Sequence, residues 1–482
     1  MRHFNRLVFA GIVLLSGLLA ACGSNANNAS IVLKISDYSP EQNAFHTQVA
    51  AEYHRLNPNV TIQWTSEAQA QYNQALPLAF QSHQAPDIFF YKSTQDPELS
   101  MAFLLQQGWV HPLAPSGNPP QSFLNQWPSG MFQEGINIHN GTVYGFPFTD
   151  NVVWGPGYMF YNKALFTAAG LDPARPPTTW NQLASDCQAI KSKTGKYCLA
   201  APMKGSDFQR IWYPIAGSIM TDQFFDYKNG TFDLNNPLLL QAFSFIQSLY
   251  NAGYMVPGVV DKSVSRQQMA SGEAAIYFDG TWMPSVFQQL GFSEDKYGVA
   301  ATPYPDNGPR GALASQNTQN VYWISSQTTH AQAAWDFIQW MTQPDGFFAQ
   351  GYYQGNFGIL SYGDNNQLLT DPALKQIAQI ATSGLRVTYP EPLLKCPDLA
   401  KSQAYQKAVS IQPNQEWNIM VSALTDHKSL APAATALVNA RQQVLTSTLQ
   451  QESASGLKVS LSCFQFSNWN YNANYSGGYP QS

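Results

Sequence analysis

The strongest constraint on the fold is the order of strands and helices near the start of the chain. Residues 31–35, 60–64 and 86–91 are short runs rich in β-branched and aromatic side chains. In the two segments between them, at about 40–57 and 72–82, apolar residues recur at helical spacing. This strand–helix–strand order places successive strands side by side in parallel, with the helices packed on the sheet. The sequence therefore predicts an α/β fold with a largely parallel sheet.

Length and composition bound the organisation of the chain and exclude some partners. At 482 residues the chain is too long for one small core and favours two or three domains. Charged residues make up 11% of the chain and the net charge is −5, so nothing favours a nucleic-acid partner. Aromatic residues make up 13%. They predict either large cores or stacking surfaces for flat ligands, and composition alone slightly favours the cores.

The N-terminus is typical of an export signal that ends in a lipidation site. Two arginines precede an apolar run at 7–21, which is shorter than the ~20 residues that span a bilayer comfortably. The motif LAAC, which ends at Cys22, looks like a bacterial lipobox. We therefore expect a signal peptide at 1–21, lipid on Cys22, a tether at 22–30 and an extracytoplasmic domain anchored to the outer face of the bacterial cell membrane. The alternatives are an ordinary signal peptide with a chance cysteine, and a short membrane anchor.

The four other cysteines predict two disulfides, because an even number of cysteines outside the cytoplasm favours pairing. Cys187 and Cys198 are close in sequence and form the first expected pair. Cys396 and Cys463 would then pin the C-terminal tail. Three connectivities are possible, and this one is preferred. The spacings do not suit a zinc site, and we expect neither a metal nor a cofactor.

Four motifs carry a family resemblance. In chain order they are 86–88 (PDI), 161–166 (YNKALF) followed by 169–171 (AGL) and 177–180 (PTTW), 269–276 (MASGEAAI) followed by 280–282 (GTW), and 333–338 (AAWDFI). Together, and behind the lipobox-like motif, they resemble the extracellular solute-binding proteins of ABC importers, in the sugar-binding group that includes maltose-binding protein. The resemblance covers nearly the whole chain after the leader, and the tail after Leu457 departs from it.

The resemblance implies a two-lobed fold of the periplasmic-binding-protein type II class. Its two α/β lobes are joined by crossover hinge segments, with the ligand cleft between them. By resemblance, the N-terminal lobe takes 31–148 and 312–345. The C-terminal lobe takes 152–308 and 349–460, and 461–482 is a C-terminal tail. The partners it implies are a sugar or oligosaccharide and the ABC permease subunits in the membrane, with the protein itself a monomer.

Binding a sugar requires amide or carboxylate groups for its hydroxyls and aromatic faces for its ring. Ligands of α/β sheets lie beyond the carboxyl ends of the strands. This rule and the resemblance predict the ligand-binding residues Asp37, Tyr38, Tyr91, Asp150, Asn151, Phe208, Gln209, Trp212, Trp282, Asn317, Tyr352 and Asn356. Trp282, in the GTW motif, is the leading candidate. Each has an alternative role: Trp282 packing under its helix, Asp37 capping the first helix, Asp150 bracing the hinge.

No enzyme motif is present in the sequence: it has no phosphate loop, no HExxH zinc motif and no GxSxG elbow. The favoured function is therefore a binding lipoprotein that captures a sugar or oligosaccharide for an ABC importer, and not an enzyme. Two alternatives remain. One is a surface-anchored glycoside-active enzyme, because paired catalytic carboxylates need not be neighbours in sequence. The other is the same fold with a non-sugar solute, such as glycerol phosphate or a polyamine.

Overall fold

The computed structural model describes most of the chain beyond the leader. The described residues are 30–92, 101–127, 131–132, 136–149, 157–220, 224–311, 314–315, 320–363, 367–383, 386–387, 390, 392–411, 415–470 and 475. The predicted lipidation site Cys22, with the signal peptide and most of the tether, lies outside this range, as do the candidate ligand residues Asp150, Asn151 and Asn317.

The strands within the described residues are β1 Ile31–Asp37, β2 Val60–Ser66, β3 Ile88–Lys92, β4 Val110–His111, β5 Ile138–His139, β6 Thr142–Val143, β7 Gly145–Pro147, β8 Tyr158–Asn162, β9 Tyr197–Leu199, β10 Phe225–Asp226, β11 Thr231–Phe232, β12 Ala274–Asp279, β13 Tyr297–Ala301, β14 Ala314–Ser315, β15 Asn320–Ser325 and β16 Arg386–Val387.

The α-helices are α1 Asn43–Leu56, α2 Gln69–Gln81, α3 Met101–Gln106, α4 Gln121–Leu124, α5 Lys163–Ala168, α6 Trp180–Thr194, α7 Gln209–Ile219, α8 Pro237–Asn251, α9 Lys262–Ala270, α10 Met283–Gln289, α11 Ala331–Met341, α12 Phe347–Gln354, α13 Pro372–Ser383, α14 Pro392–Lys395, α15 Ala404–Ser410, α16 Gln415–Thr425 and α17 Ala431–Ala454. Short 3-10 turns occupy Pro40–Gln42, Gly205–Phe208, Glu294–Lys296, Pro397–Lys401 and Leu461–Phe464.

The first sheet has the order β2-β1-β3-β15-β4, with β7 also paired to β15. Strands β1, β2 and β3 run parallel, as the strand–helix–strand order predicts. Strand β15 comes from far along the chain and enters antiparallel between β3 and β4. Helix α1 buries Phe45, Val49 and Tyr53 against this sheet, at the helical spacing noted in the sequence. This sheet and its helices form the first lobe.

The second sheet has the order β13-β8-β12-β9 and is mixed. Strand β8 runs antiparallel to both β12 and β13, whereas β12 and β9 are parallel. The largely parallel sheet predicted from the first three strands holds for β1–β3, but β15 makes their sheet mixed because it pairs antiparallel with β3, β4 and β7. Helices α6, α7 and α8 contribute many apolar residues to its core, together with strand residues and helices α16 and α17. The α/β class is confirmed.

Two chain segments that link the sheets lie side by side. Thr149 forms a β-bridge with Leu360. The Ser361 amide donates to the Phe148 carbonyl at 3.0 Å, and the Ser361 hydroxyl donates to the Pro147 carbonyl at 2.7 Å. The first and last crossing segments are therefore joined to each other by hydrogen bonds before either reaches the second sheet.

The C-terminal part of the chain packs as a small unit of its own. Disulfides join Cys187 to Cys198 and Cys396 to Cys463, which is the preferred connectivity. The second disulfide ties the turn at Leu461–Phe464 to the segment after α14, over a core shared with β10, β11, α15 and α17. The C-terminal tail is thus docked on the second lobe through residue 469.

Among the helices of the described residues, none is both long enough and apolar enough to cross a bilayer.

Candidate functional site

Each sheet ends in a buried aspartate at the carboxyl end of a strand. Asp37 closes β1 in the first lobe, and Asp279 closes β12 in the second. Both side chains are about 1% exposed. Ligand sites of α/β proteins lie beyond these strand ends. The groups around the two aspartates therefore define the two walls of the candidate site.

The Asp37 carboxylate is fully used by the protein. Its oxygens accept hydrogen bonds from the Ser39 amide (3.1 Å), the Ser66 hydroxyl, the Trp64 indole (2.9 Å) and the Tyr322 hydroxyl (2.7 Å). A carboxylate with this many donors has little capacity left for a solute. Asp37 therefore organises the first wall, and its bond from the Ser39 amide closes a tight turn just before the 3-10 turn at Pro40–Gln42.

His46 and Trp64 stack behind this carboxylate. Their ring centroids are 3.9 Å apart and the planes are 9° from parallel. Burial lowers the pKa of His46 to about 4, although the nearby Asp37 carboxylate acts in the opposite direction. The imidazole is therefore neutral at physiological pH, and the stack is a rigid support for the wall.

Tyr38 and Tyr91 pack against a second aromatic cluster of the first lobe, which contains Phe89, Trp109 and Trp323, and both remain half-buried. Tyr38 meets Phe90 edge-on at 4.9 Å between centroids. Tyr91 meets Trp109 edge-on at 6.3 Å, and its backbone carbonyl accepts from the Trp323 indole at 2.9 Å. The structure thus brings these two predicted stacking residues to one side of the first lobe.

Asp279 holds two arginines at the second wall. Its Oδ2 accepts from the Arg266 guanidinium at 2.8 and 3.1 Å and from Arg210 Nε at 3.4 Å. Burial alone would raise the pKa of Asp279, but Arg266 and Arg210 outweigh it and hold that pKa below its usual value. Asp279 is consequently a carboxylate, and the arginines are fixed in place.

The same ion network extends to Asp207 and Lys262. Arg210 donates to Asp207 Oδ1 at 2.7 Å, and the backbone amide of Lys262 donates to Asp207 Oδ2 at 2.9 Å. Lys262 and Arg266 are four residues apart on α9 and so lie on one helix face. This spacing is the sequence signal that could have identified them as a pair of site residues, and it was missed.

Trp282 lies directly against the backbone after β12. A Cβ atom on Gly280 would fall 2.4 Å from Trp282 Cη2, a distance that side-chain carbons do not adopt. Glycine in the GTW motif therefore allows the indole to fold back over the strand end, where it is half-buried. This explains the motif physically and leaves part of the indole available for contact.

Tyr352 and Asn356 occupy the last crossing segment. The Tyr352 side chain is 2% exposed, and its hydroxyl donates to the Phe357 carbonyl at 3.2 Å. A Cβ on Gly358 would lie 3.1 Å from that hydroxyl and 3.4 Å from Thr281 Oγ1. The crossing therefore touches the GTW motif itself. The Tyr352 hydroxyl packs against Gly358 at this contact. Asn356 is half-buried and has a left-handed backbone conformation, with φ of 55°.

Two of the predicted ligand residues are corrected by their position. Phe208 and Trp212 have no exposed surface and belong to the core of the second lobe. The apolar face of α7 points into that core, so these aromatic side chains pack rather than meet a solute. Gln209, between them, stays half-buried.

The chain is similar in sequence to known bacterial binding proteins. A family model described as bacterial extracellular solute-binding protein matches residues 37–346. A Brucella abortus (strain 2308) protein described as a binding protein is 24% identical over 417 residues, which is 78% of this chain and 92% of that protein. The sn-glycerol-3-phosphate-binding periplasmic protein UgpB of Yersinia pseudotuberculosis is 25% identical over 197 residues, 39% of this chain and 43% of that protein.

Solved structures of other proteins share the fold of this chain over most of its length. A protein from work on xylan utilisation by Caldanaerobius polysaccharolyticus has a TM-score of 0.67 at 20% identity, covering 85% of this chain and 99% of that one. The GacH receptor of Streptomyces glaucescens, solved unliganded and with acarbose, has a TM-score of 0.65 at 18% identity, covering 86% and 98%. At these identities the likeness is one of fold: two α/β lobes with a cleft between them.

Proposed function

The chain belongs to the bacterial extracellular solute-binding proteins, and from this we propose that it captures a sugar or oligosaccharide for an ABC importer. In this role the solute enters the cleft between the lobes, and its hydrogen bonds and ring contacts favour the closed form. The closed protein then docks on the membrane permease subunits. Its own work is binding and delivery, and it catalyses no reaction.

The observation that carries the proposal is the half-buried Trp282 at the end of β12. An indole held open beside a buried, charge-fixed carboxylate offers an apolar face next to hydrogen-bonding groups, and a sugar ring needs both. The half-buried Tyr38 and Tyr91 offer the same chemistry from the first lobe. The fold shared with an acarbose-binding receptor supports the same ligand class.

We expect one sugar class to raise the melting temperature of the domain that begins after Cys22, because a ligand that binds the native state stabilises it. In Trp282→Ala the affinity for that sugar should fall about tenfold or more, since a large stacking surface is lost. Thermal-shift screening against mono- and oligosaccharides, followed by calorimetry, measures both effects.

Phe347→Ala is the matched control for this experiment. Phe347 is an aromatic residue that is 41% exposed on α12. Its removal should leave sugar affinity unchanged. Equal losses in both variants, or no shift with any sugar, would contradict the proposed ligand class.

The relative that binds sn-glycerol 3-phosphate makes this phosphate ester a second candidate ligand. It matches 39% of this chain, and the second wall contains Arg210, Lys262 and Arg266, which could contact a phosphate. Including sn-glycerol 3-phosphate in the same screen decides between the two ligand classes.

The proposal extends to anchoring and to the lobe boundaries. We place the lobes at 31–148 with 312–345 and at 152–308 with 349–460, and treat the protein as a monomer. The leader and Cys22 would hold the domain on the outer face of the cell membrane. Asp150, Asn151 and Asn317 stay as proposed ligand contacts near the crossings, together with Gln209 and Asn356.

Lipid on Cys22 makes a direct prediction about fractionation. In the producing bacterium, wild-type protein should sediment with membranes, and Cys22→Ser should move to the soluble extracytoplasmic fraction, because the substitution removes the residue that carries the acyl chains. Ser24→Ala serves as the control, since it changes the tether and leaves Cys22 in place. Membrane retention of Cys22→Ser would show that the leader itself is the anchor.

A further inference from the structure

The tripeptide Asn-Gly-Thr occurs in the turns of two β-hairpins of this chain. Asn140 and Gly141 form the two-residue turn between β5 and β6. Asn229 and Gly230 end the four-residue loop between β10 and β11. An asparagine followed by glycine can react with its own backbone, because glycine has no side chain to shield its amide nitrogen. Two identical tripeptides in hairpin turns allow the effect of their surroundings to be compared directly.

The reaction open to this dipeptide is deamidation. The glycine amide nitrogen attacks the asparagine Cγ, loses its proton and displaces the side-chain nitrogen as ammonia, which leaves a five-membered succinimide ring. One water molecule then adds to either carbonyl of the ring and opens it. Opening at one carbonyl gives aspartate, and opening at the other gives isoaspartate, in which the main chain continues through the side-chain carbon. The reaction therefore needs only water.

The surroundings of Asn229 oppose this reaction at the nucleophile and at the leaving group. Gly230 is buried, and its amide, which would attack, donates to the Asp226 carbonyl at 2.7 Å. The Asn229 side-chain nitrogen, which would leave, donates to the Asp226 carboxylate. The Asn229 carbonyl also accepts from Gln465 Nε2 at 3.1 Å, in the docked C-terminal tail. Asn229 is therefore held in an arrangement that must break before it can react.

Asn140 lies in an exposed turn, beside a group that can transfer a proton. His139, Asn140 and Gly141 are all exposed. Asn140 Nδ2 lies 3.0 Å from His139 Nε2. This Nδ2 is the nitrogen that leaves, and a proton donated by an imidazolium makes it a better leaving group. Asn118 Nδ2 donates to the Gly141 carbonyl at 2.8 Å, but that oxygen takes no part in the attack.

We propose that Asn140 is a site of spontaneous modification, at which the protein acquires aspartate and isoaspartate, and that the same tripeptide at Asn229 is protected. The inference is independent of the solute that the cleft binds. Both products place a new carboxylate beside His139 on the surface of the first lobe. Isoaspartate also lengthens the main chain of a two-residue turn, so the pairing of β5 with β6 is lost. The hairpin therefore changes in charge and in shape as the protein ages.

The test is to incubate the purified protein at neutral pH and to follow both tripeptides by peptide mass spectrometry. Replacement of NH₂ by OH raises the mass of the peptide, and enzymatic methylation of the new carboxylate identifies isoaspartate. We expect Asn140 to convert about tenfold or more faster than Asn229, because Asn229 must first break its bonds to Asp226. Equal rates at the two sites, including no conversion at either, would overturn the inference.

His139→Gln separates proton transfer from exposure of the turn, because glutamine is polar but does not act as an acid. Conversion of Asn140 should slow about threefold or more in this variant, with no change at Asn229. His427→Gln is the matched control, since His427 is an exposed histidine whose Nδ1 lies 2.6 Å from Asn251 Oδ1. It should leave both rates unchanged. An unchanged Asn140 rate in His139→Gln would overturn the role given to the imidazole.

Asp226→Ala tests the protection of the second tripeptide. The substitution removes the carboxylate that holds the Asn229 side-chain nitrogen. Conversion of Asn229 should then become faster, whereas conversion of Asn140 should stay at the wild-type rate. If Asn229 in Asp226→Ala remains as slow as in the wild type, its bonds to Asp226 do not protect it, and the contrast drawn between the two turns fails.

Discussion

Asp279→Ala is expected to lower the free energy of unfolding by about 3–5 kcal/mol, the usual cost of removing one partner from a buried ion pair. The variant leaves the guanidinium groups of Arg266 and Arg210 in place with side chains that are 15% and 7% exposed. Arg266 would lose the carboxylate that compensates its burial, whereas Arg210 would keep its ion pair with Asp207 at 2.7 Å. Urea unfolding followed by circular dichroism measures the change.

The control for Asp279→Ala is a variant that breaks a solvent-exposed ion pair. Glu52→Gln breaks the exposed pair with Arg55 and should cause no measurable change, because surface pairs contribute little. The double variant Asp279→Ala/Arg266→Met should recover part of the loss. Equal stability of Asp279→Ala and the wild type would mean that the arginines find other partners.

The same carboxylate gives the stability a pH dependence with a definite sign. The pKa of Asp279 is lower in the folded protein than its ordinary value, so the network contributes stability above that ordinary value, about 4. This contribution is lost as the pH falls through the lower folded-state pKa. Asp279→Ala should therefore show a flatter decline of stability in acid than the wild type.

Loss of the Cys396–Cys463 disulfide is the second large effect that we expect. The bond closes a loop of 67 residues, for which the chain-entropy relation gives about 4 kcal/mol. Cys396→Ser/Cys463→Ser should loosen the tail, because only non-covalent contacts then hold it, among them the bonds from Lys395 Nζ to the carbonyls of Ser462 (2.7 Å) and Gln465 (2.5 Å). Limited proteolysis should then cut first near the C-terminus.

The other disulfide provides the comparison. Cys187–Cys198 spans 11 residues between α6 and β9, for which the same relation gives about 3 kcal/mol. Cys187→Ser/Cys198→Ser should therefore cost less and leave the tail protected from protease. Early C-terminal cleavage in this variant would contradict the assignment of the tail to the Cys396–Cys463 unit.

The fold could be predicted because local patterns and long-range order agree. Alternating apolar runs predict β1–β3, and the Asn140-Gly141 turn, with φ of 50° and 74°, forms the β5–β6 hairpin expected from that dipeptide. The antiparallel β8 could not be predicted in the same way. Its direction depends on which strands flank it, and a single strand's periodicity carries no such information.

The binding residues were harder to predict than the elements that hold them. Phe208 and Trp212 are predicted as ligand residues from the sequence, but the turn before α7 and α7 itself place their side chains in the core of the second lobe. Trp282 is the candidate that a local motif identifies best. In the GTW motif, a side chain at Gly280 would collide with the indole of Trp282.

The late entry of β15 into the first sheet has a consequence for the order in which the chain can fold. Strand β3 ends at Lys92, and its neighbour β15 begins at Asn320. The N-terminal lobe is the first to be synthesised, but one inner strand of its sheet is not available until about two thirds of the polypeptide has been made. Such long-range pairing is slow to form. A nascent chain of this topology stays incompletely folded while it is translated, which is the condition that threading through a translocation channel requires.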